Sequence, residues 1–559
     1  MSAELISKIR ESVIGERQLI PTSFGMKPLI YADYTASGRS LAFIEEFIST
    51  QVLPFYANTH TETSFSGAQT TAYREQARVS IRGAVNGNSD DQVIFCGAGA
   101  TAAINKLIDI LNLRLPAELS EQYQLLDQLP ADSRPVVFIG PYEHHSNEIP
   151  WRESIADVVV IPLTDTGKLD DSKLEEELIR YSQRPVKIGS FSAASNVTGI
   201  KTDVDKVASL LHSHGAVSFW DYAAAAPYVG INMNPHDSCC AKDAVFLSPH
   251  KFVGGPGTPG VLIVKKQLLK NKVPAMPGGG TVLYVTPEDH QFIDNHERRE
   301  EGGTPAIVES IRAGLVFQLQ QAVGTDKIEA LEHSFKQRAL ARWRQHSNIE
   351  ILGNTDVESL SIFSLRLKHG DMDLHYGFVV ALLNDLFGIQ ARGGCSCAGP
   401  YGHDLLGMDM AYSRALEAQL GKGHMVLRPG WVRLNFNYFI DESTFEYLVS
   451  AVELVANYGW RLLPYYQFDE ESGTWRFQGK KMQLNAGVCI EDLFGPSNAP
   501  AFAEPDLLGE FSSLAAVELQ KNYRNDIQYS MELPEEVNKL RWFVLPQEVA
   551  PDPVLEMAS

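Results

Sequence analysis

Apolar positions in the first half of the chain alternate between two patterns. Gln92–Cys96, Val136–Gly140, Val158–Leu163, Ala216–Asp221, Ala244–Leu247 and Gly260–Val264 are short, nearly unbroken apolar runs bounded by glycine, proline or polar residues. Runs of that length read as strands buried on both faces. Between them the spacing turns helical, with Ile104, Leu107, Ile108 and Leu111 at i, i+3, i+4 and i+7. The alternation predicts a mostly parallel sheet whose ligands collect at the carboxyl ends of its strands. Ahead of this region Met1–Arg10 reads as an amphipathic helix, Leu29–Arg39 as a short strand running into a loop, and Tyr56–Gly67 as a polar loop; Ser40 opens a helical pattern. Farther on, Pro429–Asn437 reads as a strand, Gln467–Phe477 as a hairpin turning at Ser472 and Gly473, and the proline-rich Phe494–Pro505 as a linker. The end of the chain predicts a helix near Phe511–Tyr523 and an apolar strand over Leu540–Leu545.

Length and charge narrow the class. A chain of 559 residues exceeds the roughly 250–300 at which single cores stop growing, so two lobes and an appendage are expected. No apolar run reaches the ~18 residues that would suggest a membrane span, and the N-terminus lacks a secretory apolar region, so the expected location is the cytoplasm. The net charge of −21 argues against a nucleic-acid partner, which needs a basic face. Cys96, Cys239, Cys240, Cys395, Cys397 and Cys489 are too sparse for a disulfide framework, and no paired Cys-x-x-Cys units point to a metal site. Cysteine chemistry, if present, is expected to be catalytic.

Several polar residues stand where the pattern puts ligands. Lys251 follows the run Ala244–Leu247 and precedes Gly260–Val264. A lysine between two buried strands either serves as a desolvated, imine-forming amine or snorkels to water from the rim of its loop. Gly99, Ala100 and Thr101 fall at a helix N-terminus, where free N–H groups and the macrodipole favour a phosphate. His144 and His145 follow one strand and Asn196 another, while Asp221 ends a third. A buried aspartate needs a partner, such as a protonated heterocyclic nitrogen, unless it caps a helix.

The order of these pieces (phosphate turn, His, Asn, Asp, then Ser-x-His-Lys) resembles the class V aminotransferase family of fold-type I pyridoxal 5′-phosphate enzymes, in particular its cysteine desulfurase and selenocysteine lyase branch, over about residues 30 to 455. The resemblance implies an α/β fold with a large domain built on a mostly parallel seven-stranded sheet, a smaller α+β domain and a C-terminal extension. The expected boundaries are an N-terminal segment 1–30 packing on the small domain, a cofactor domain 31–285, a connecting helix and small domain 286–464, and the extension 465–559. By resemblance Lys251 forms the Schiff base with the cofactor, Asp221 keeps its ring nitrogen protonated, and His144 stacks on the ring. Ala100, Thr101, Ser248 and His250 hold its phosphate, and Asn196 lies near the ring hydroxyl and the substrate carboxylate. Glu301–Pro305 resembles a family segment whose threonine, here Thr304, reaches the phosphate of the other subunit, implying a homodimer with shared sites. Where the branch carries glutamine after Asp-x-Ala, this chain has Ala224.

Arg392–Pro400 resembles the family's Arg-x-Gly-His-His-Cys-Ala loop, placing Cys397 at the persulfide-forming cysteine and Arg392 at the loop arginine. Cys395 and Ser396 stand where the family has histidines. A reactive, exposed Cys397, two cysteines that only pack, and a Cys395 that resolves an oxidised Cys397 are the alternatives. Arg433 matches the arginine that clamps the substrate carboxylate, and it lies 36 residues beyond Cys397, a stretch long enough for a lid. The implied activity is conversion of L-cysteine to L-alanine with a persulfide on Cys397, and a sulfur-acceptor protein is a further implied partner. The alternatives are another class V reaction with Cys397 a bystander, or a cofactor-binding sulfur-relay component without turnover.

Overall fold

The computed structural model describes residues 2–59, 61–482, 484, 490, 494, 500–521 and 529–549. Cys489, residues 495–499 of the expected linker and the end of the helix expected near Phe511–Tyr523 lie outside the described residues. The chain forms two compact units, one from Met1–Ile14, Tyr34–Glu332 and Asp356–Leu360, the other from Gly15–Asp33, His333–Thr355 and Ser361–Ser559. Among the described residues no helix is long and apolar enough to cross a membrane.

In the first unit a seven-stranded sheet takes the strands β1 (Asp91–Cys96), β2 (Val136–Ile139), β3 (Asp157–Val160), β4 (Lys187–Ser192), β5 (Val217–Asp221), β6 (Ala244–Leu247) and β7 (Gly260–Lys265) in the spatial order β1-β7-β6-β5-β4-β2-β3. All pairings from β3 to β6 are parallel, and β7 runs antiparallel between β6 and β1. The predicted sheet is therefore present, and each of the apolar runs supplies a strand. β2 and β6 are buried at every position, as strands covered on both faces must be.

The helix α1 (Gly99–Ile110) follows β1 and turns Ala103, Ile104, Leu107 and Ile108 onto the sheet, packing them with Val137, Ile139, Phe219 and Phe246. Its N-cap, Ala98, has no side chain able to accept a hydrogen bond. The hydroxyl of Ser248 takes that role from the loop after β6, accepting the Ala100 N–H at 2.8 Å. Gly260, which opens β7, packs against the same turn; a Cβ there would lie 2.0 Å from the Gly99 carbonyl oxygen.

The second unit holds a five-stranded antiparallel sheet, with β8 (Ile349–Ile351), β9 (Ile362–His369), β11 (Arg392–Gly394) and β12 (Trp431–Asn435) in the order β8-β9-β12-β11 and β10 (Met372–Asp373) paired to β9. Helices α2 (Tyr376–Phe387) and α3 (Glu442–Tyr458) cover it. The residues between Cys397 and Arg433 do not form a lid-like loop. They fold as the helices Gly399–Leu406 and Met410–Leu420, with Tyr401, Leu416, Val426 and Leu427 buried.

The extension belongs to the same core. The expected hairpin forms, pairing Tyr466–Asp469 with Thr474–Phe477, and a helix spans Leu508–Gln520. Leu540–Leu545 is not the expected strand. Phe543 is buried and Trp542 half-buried by packing, and ladder pairing is limited to one bridge between Phe543 and Asp373. His375, the N-cap of α2, joins these parts. Its Nδ1 accepts from the Gly377 N–H (3.0 Å) and from Trp475 Nε1 (3.1 Å), and its Nε2 donates to the Val426 carbonyl (3.2 Å). Its ring stacks on Trp542 at 5.2 Å. Complete burial pushes this imidazole down to about 3.

Candidate active site

The carboxyl ends of β1, β2, β4, β5 and β6 lie on one edge of the first unit's sheet, and the candidate residues of that unit sit there. At the start of α1, Gly99 adopts φ +55°, a left-handed conformation that glycine takes without strain. A Cβ on Gly99 would stand 2.9 Å from Ser248 Oγ and 3.5 Å from His250 Nε2. Glycine thus keeps a small cradle open at a helix N-terminus, between a hydroxyl and an imidazole. His250 is neutral, because burial and the charge of Lys251 push its ring down to about 4. Its carbonyl accepts the Gly38 N–H at 2.8 Å.

A hydroxyl relay runs from this turn to the histidine after β2. Thr101 Oγ1 lies 2.6 Å from Ser146 Oγ, which lies 3.0 Å from His144 Nδ1. Nδ1 also accepts the Ser146 N–H at 3.1 Å, so in the neutral ring the proton is on Nε2. Asp221, at the end of β5, is buried and accepts the Ala223 N–H at 2.8 Å. No helix begins there, so the capping role weighed from sequence does not apply. Burial raises the Asp221 carboxyl, while that amide and the Lys251 charge pull it back. Lys251 is half-buried in the turn Pro249–Lys251. Asn196 is buried after β4, and Ala224, in place of the family glutamine, is buried after Asp221. Thr304 is exposed and accepts from Asn58 Nδ2 at 3.3 Å.

In the second unit β11 and β12 bring the two candidate arginines side by side, with Arg392 the direct cross-strand partner of Arg433. Opposite cross-strand residues share a face, and two like charges there repel unless an anion joins them. Arg433 is 3% exposed and donates from Nη2 to Asp33 Oδ1 at 2.8 Å. Next along the chain is a tight turn in which the Ala398 N–H bonds the Cys395 carbonyl, with Ser396 and Cys397 at φ +54° and +57°. Positive φ at both central residues defines a type I′ turn, a conformation usually left to Asn-Gly. For serine and cysteine it costs on the order of 1–2 kcal/mol each. Both thiols are half-buried. By contrast, burial pushes the Cys96 thiol up to about 12, which makes it an inert core residue.

Four residues here are not evident from the sequence. Asp33 is the partner of Arg433, and Ser146 is the bridge of the relay. Asn435 is buried with neither amide atom bonded among the described residues. Glu143 is 1% exposed directly beside His144. Sequence held one signal for Ser146, its place two residues after His144.

The sequence pattern of the family described as Aminotransferase class-V matches residues 30–415. A probable cysteine desulfurase of Halalkalibacterium halodurans is 29% identical over 377 residues, covering 67% of this chain and 85% of the relative. One from Streptomyces coelicolor is 27% identical over 383 residues, covering 66% and 84%. Among solved structures, the apo cysteine desulfurase of Thermococcus onnurineus NA1 superposes with a TM-score of 0.61 at 21% identity, over 77% of this chain and 95% of that one, a likeness of fold.

Proposed function

This chain belongs to the aminotransferase class-V family of pyridoxal 5′-phosphate-dependent enzymes, and from that premise we propose that it is a cysteine desulfurase, turning L-cysteine into L-alanine and leaving the sulfur as a persulfide on Cys397. The observation that carries the cofactor assignment is the cluster at the sheet edge: the Gly99 cradle between Ser248 and His250, with the buried Asp221 in the field of Lys251. Such residues suit a planar, phosphorylated ligand with a protonated ring nitrogen. Lys251 would hold it covalently, Asp221 would face the ring nitrogen, His144 would stack on the ring, and Ala100, Thr101, Ser248 and His250 would surround the phosphate.

When bound, the cofactor supplies a sink for the electrons left at the substrate Cα. By resemblance the roles of orienting the substrate carboxylate fall to Arg433, Arg392 and Asn196. The Lys251 amine takes the α-proton. The Cys397 thiolate attacks the substrate sulfur, so that one C–S bond breaks, one S–S bond forms, and the carbon skeleton leaves as alanine after protonation. Homodimerisation is part of this reading, with Thr304 serving the partner's site. Large apolar side chains exposed at Leu53, Phe55, Phe65, Leu283, Tyr284 and Val285 support a surface made for a second copy. A cytoplasmic location, a sulfur-acceptor protein, and the division into segments 31–285, 286–464 and 465–559 belong to the same proposal.

One observation favours a second reading, in which the chain runs another class V reaction and Cys397 is a bystander: the turn carries Cys395 and Ser396 where imidazoles are expected. The deciding experiment supplies L-cysteine and measures alanine, sulfide and protein-bound persulfide. Cys397→Ser should abolish alanine formation while keeping the colour of the bound cofactor, whereas Cys395→Ser should do less. Undiminished alanine formation in Cys397→Ser, or a wild type that transfers amino groups to a 2-oxo acid without desulfurating cysteine, would end the desulfurase assignment.

A further inference from the structure

We infer that Glu143 is a positioning residue for the cofactor ring, tying the ends of β2 and β4 together and adding a second fixed negative charge behind Asp221. The inference rests on the cofactor reading above. Glu143 Oε1 accepts the N–H groups of Gly140 (3.3 Å) and Ser192 (3.0 Å), and Oε2 accepts from Asn147 Nδ2 (2.8 Å) and Ser192 Oγ (2.6 Å). Three of these four donors cannot turn round. Two are backbone amides. The Asn147 amide is locked because its Oδ1 accepts from Trp151 Nε1 (3.2 Å) and Ser190 Oγ (2.7 Å), leaving its NH₂ to face Glu143 and the Ser190 carbonyl. A pocket lined with fixed donors is built for a group that only accepts, which is an ionised carboxylate.

That carboxylate is buried and has no cationic partner among the described residues. A buried charge without a counterion is costly, so the site is incomplete as an electrostatic unit until a cation comes near. Its place in the fold says where that cation would be. Ser192, which holds both Glu143 oxygens, is the β-sheet register partner of Asp221. Asp221 on β5 is the acid whose charge Glu143 feels, and the titratable residues flanking Glu143 in the chain are Tyr142, which is buried, and His144. Asn147, Ser190, Ser192 and Trp151 supply the other walls and are uncharged. Burial, with the repulsion of Asp221 as a further cause, pushes the Glu143 carboxyl up to about 7 against its hydrogen bonds. A protonated ring nitrogen at Asp221 relieves both acids at once, and Glu143 in turn helps keep that nitrogen protonated.

The test uses the full-length protein as Glu143→Gln, which removes the charge, and Glu143→Asp, which keeps it. Two quantities are read: the pH midpoint of the bound cofactor's visible absorbance, and the dissociation constant of pyridoxal 5′-phosphate from titration of the stripped protein. Loss of one nearby buried charge should lower the midpoint by about one pH unit in Glu143→Gln and weaken binding roughly tenfold. Glu143→Asp should retain the wild-type midpoint. A Glu143→Gln midpoint equal to wild type would overturn the inference, since a purely structural role predicts weaker binding without a shift. If Glu143→Gln holds no cofactor, retention by Glu143→Asp supports the charge role and failure of both variants refutes it. A wild type that binds no pyridoxal 5′-phosphate would instead refute the function on which the inference rests.

Discussion

His375 makes the second unit sensitive to acid, and the size of the effect follows from its surroundings. The buried ring accepts two N–H donors at Nδ1 and donates from Nε2. A proton on Nδ1 would set it against the amide of Gly377 and the indole of Trp475, with no water to compensate. The ring titrates at about 3 when folded, against an ordinary value near 6.5 in the unfolded chain. The unfolded state therefore binds the extra proton first, so the stabilisation is fully present above about pH 6.5 and is lost as the pH falls toward 3. Over the whole window the loss amounts to roughly 5 kcal/mol, and between pH 7.5 and pH 5.0 to roughly 2 kcal/mol. The perturbation is His375→Asn, because asparagine can still cap α2 from its side-chain oxygen and does not titrate. Urea unfolding of wild type and variant at both pH values, followed by tryptophan fluorescence, gives two differences. The variant should be less stable at pH 7.5, having lost a packed ring, but it should lose roughly 2 kcal/mol less than wild type on acidification. Groups elsewhere titrate identically in both proteins and cancel. Equal losses would show that His375 is protonated in the fold, and the tautomer drawn from its hydrogen bonds would be wrong.

Two further outcomes are expected. Gly99→Ala places a Cβ 2.9 Å from Ser248 Oγ at a positive φ, so titration with pyridoxal 5′-phosphate should show binding weakened by about tenfold or more, with a small loss of thermal stability; unaltered binding would remove the cradle from the site. Arg433→Lys keeps a positive charge but not the planar fork, so the KM for the amino acid should rise by roughly tenfold or more with a smaller change in kcat, and steady-state kinetics showing an unchanged KM would exclude Arg433 from carboxylate binding.

The sheet was legible because six of its seven strands follow short, nearly unbroken apolar runs closed by glycine, proline or a polar residue, β4 with its Gly189 and Ser190 being the exception. β1 and β6 show how far that goes: the runs ending at Cys96 and Leu247 appear as strands, and Gly99 and Ser248 follow them as predicted. What escaped was pairing across long stretches of sequence. Asp33 meets Arg433 400 residues away, and no local pattern marks that contact. Glu143 sits in a polar stretch beside His144, yet it is buried because its donors arrive from Gly140, from Asn147 and, across the sheet edge, from Ser192. Leu540–Leu545 failed in the opposite way. An apolar run says that side chains will be buried, and here the tryptophan and phenylalanine rings achieve this against His375 and Tyr376 with a single bridge in place of a ladder.

Kinship and folding have different borders in this chain. The match to the family pattern ends at residue 415, but Trp475, Phe477, Leu519 and Phe543 lie beyond it and are buried in one apolar cluster with Phe378, Leu382 and Leu386 of α2. The cap of that helix is likewise completed by Trp475. A relative that stops at the shared length needs some other cover for the same face of α2. Residues on that face therefore answer to the extension, whereas those around Lys251 and Asp221 answer, in the proposed function, to the cofactor, and identity averaged over the whole match mixes two unrelated demands.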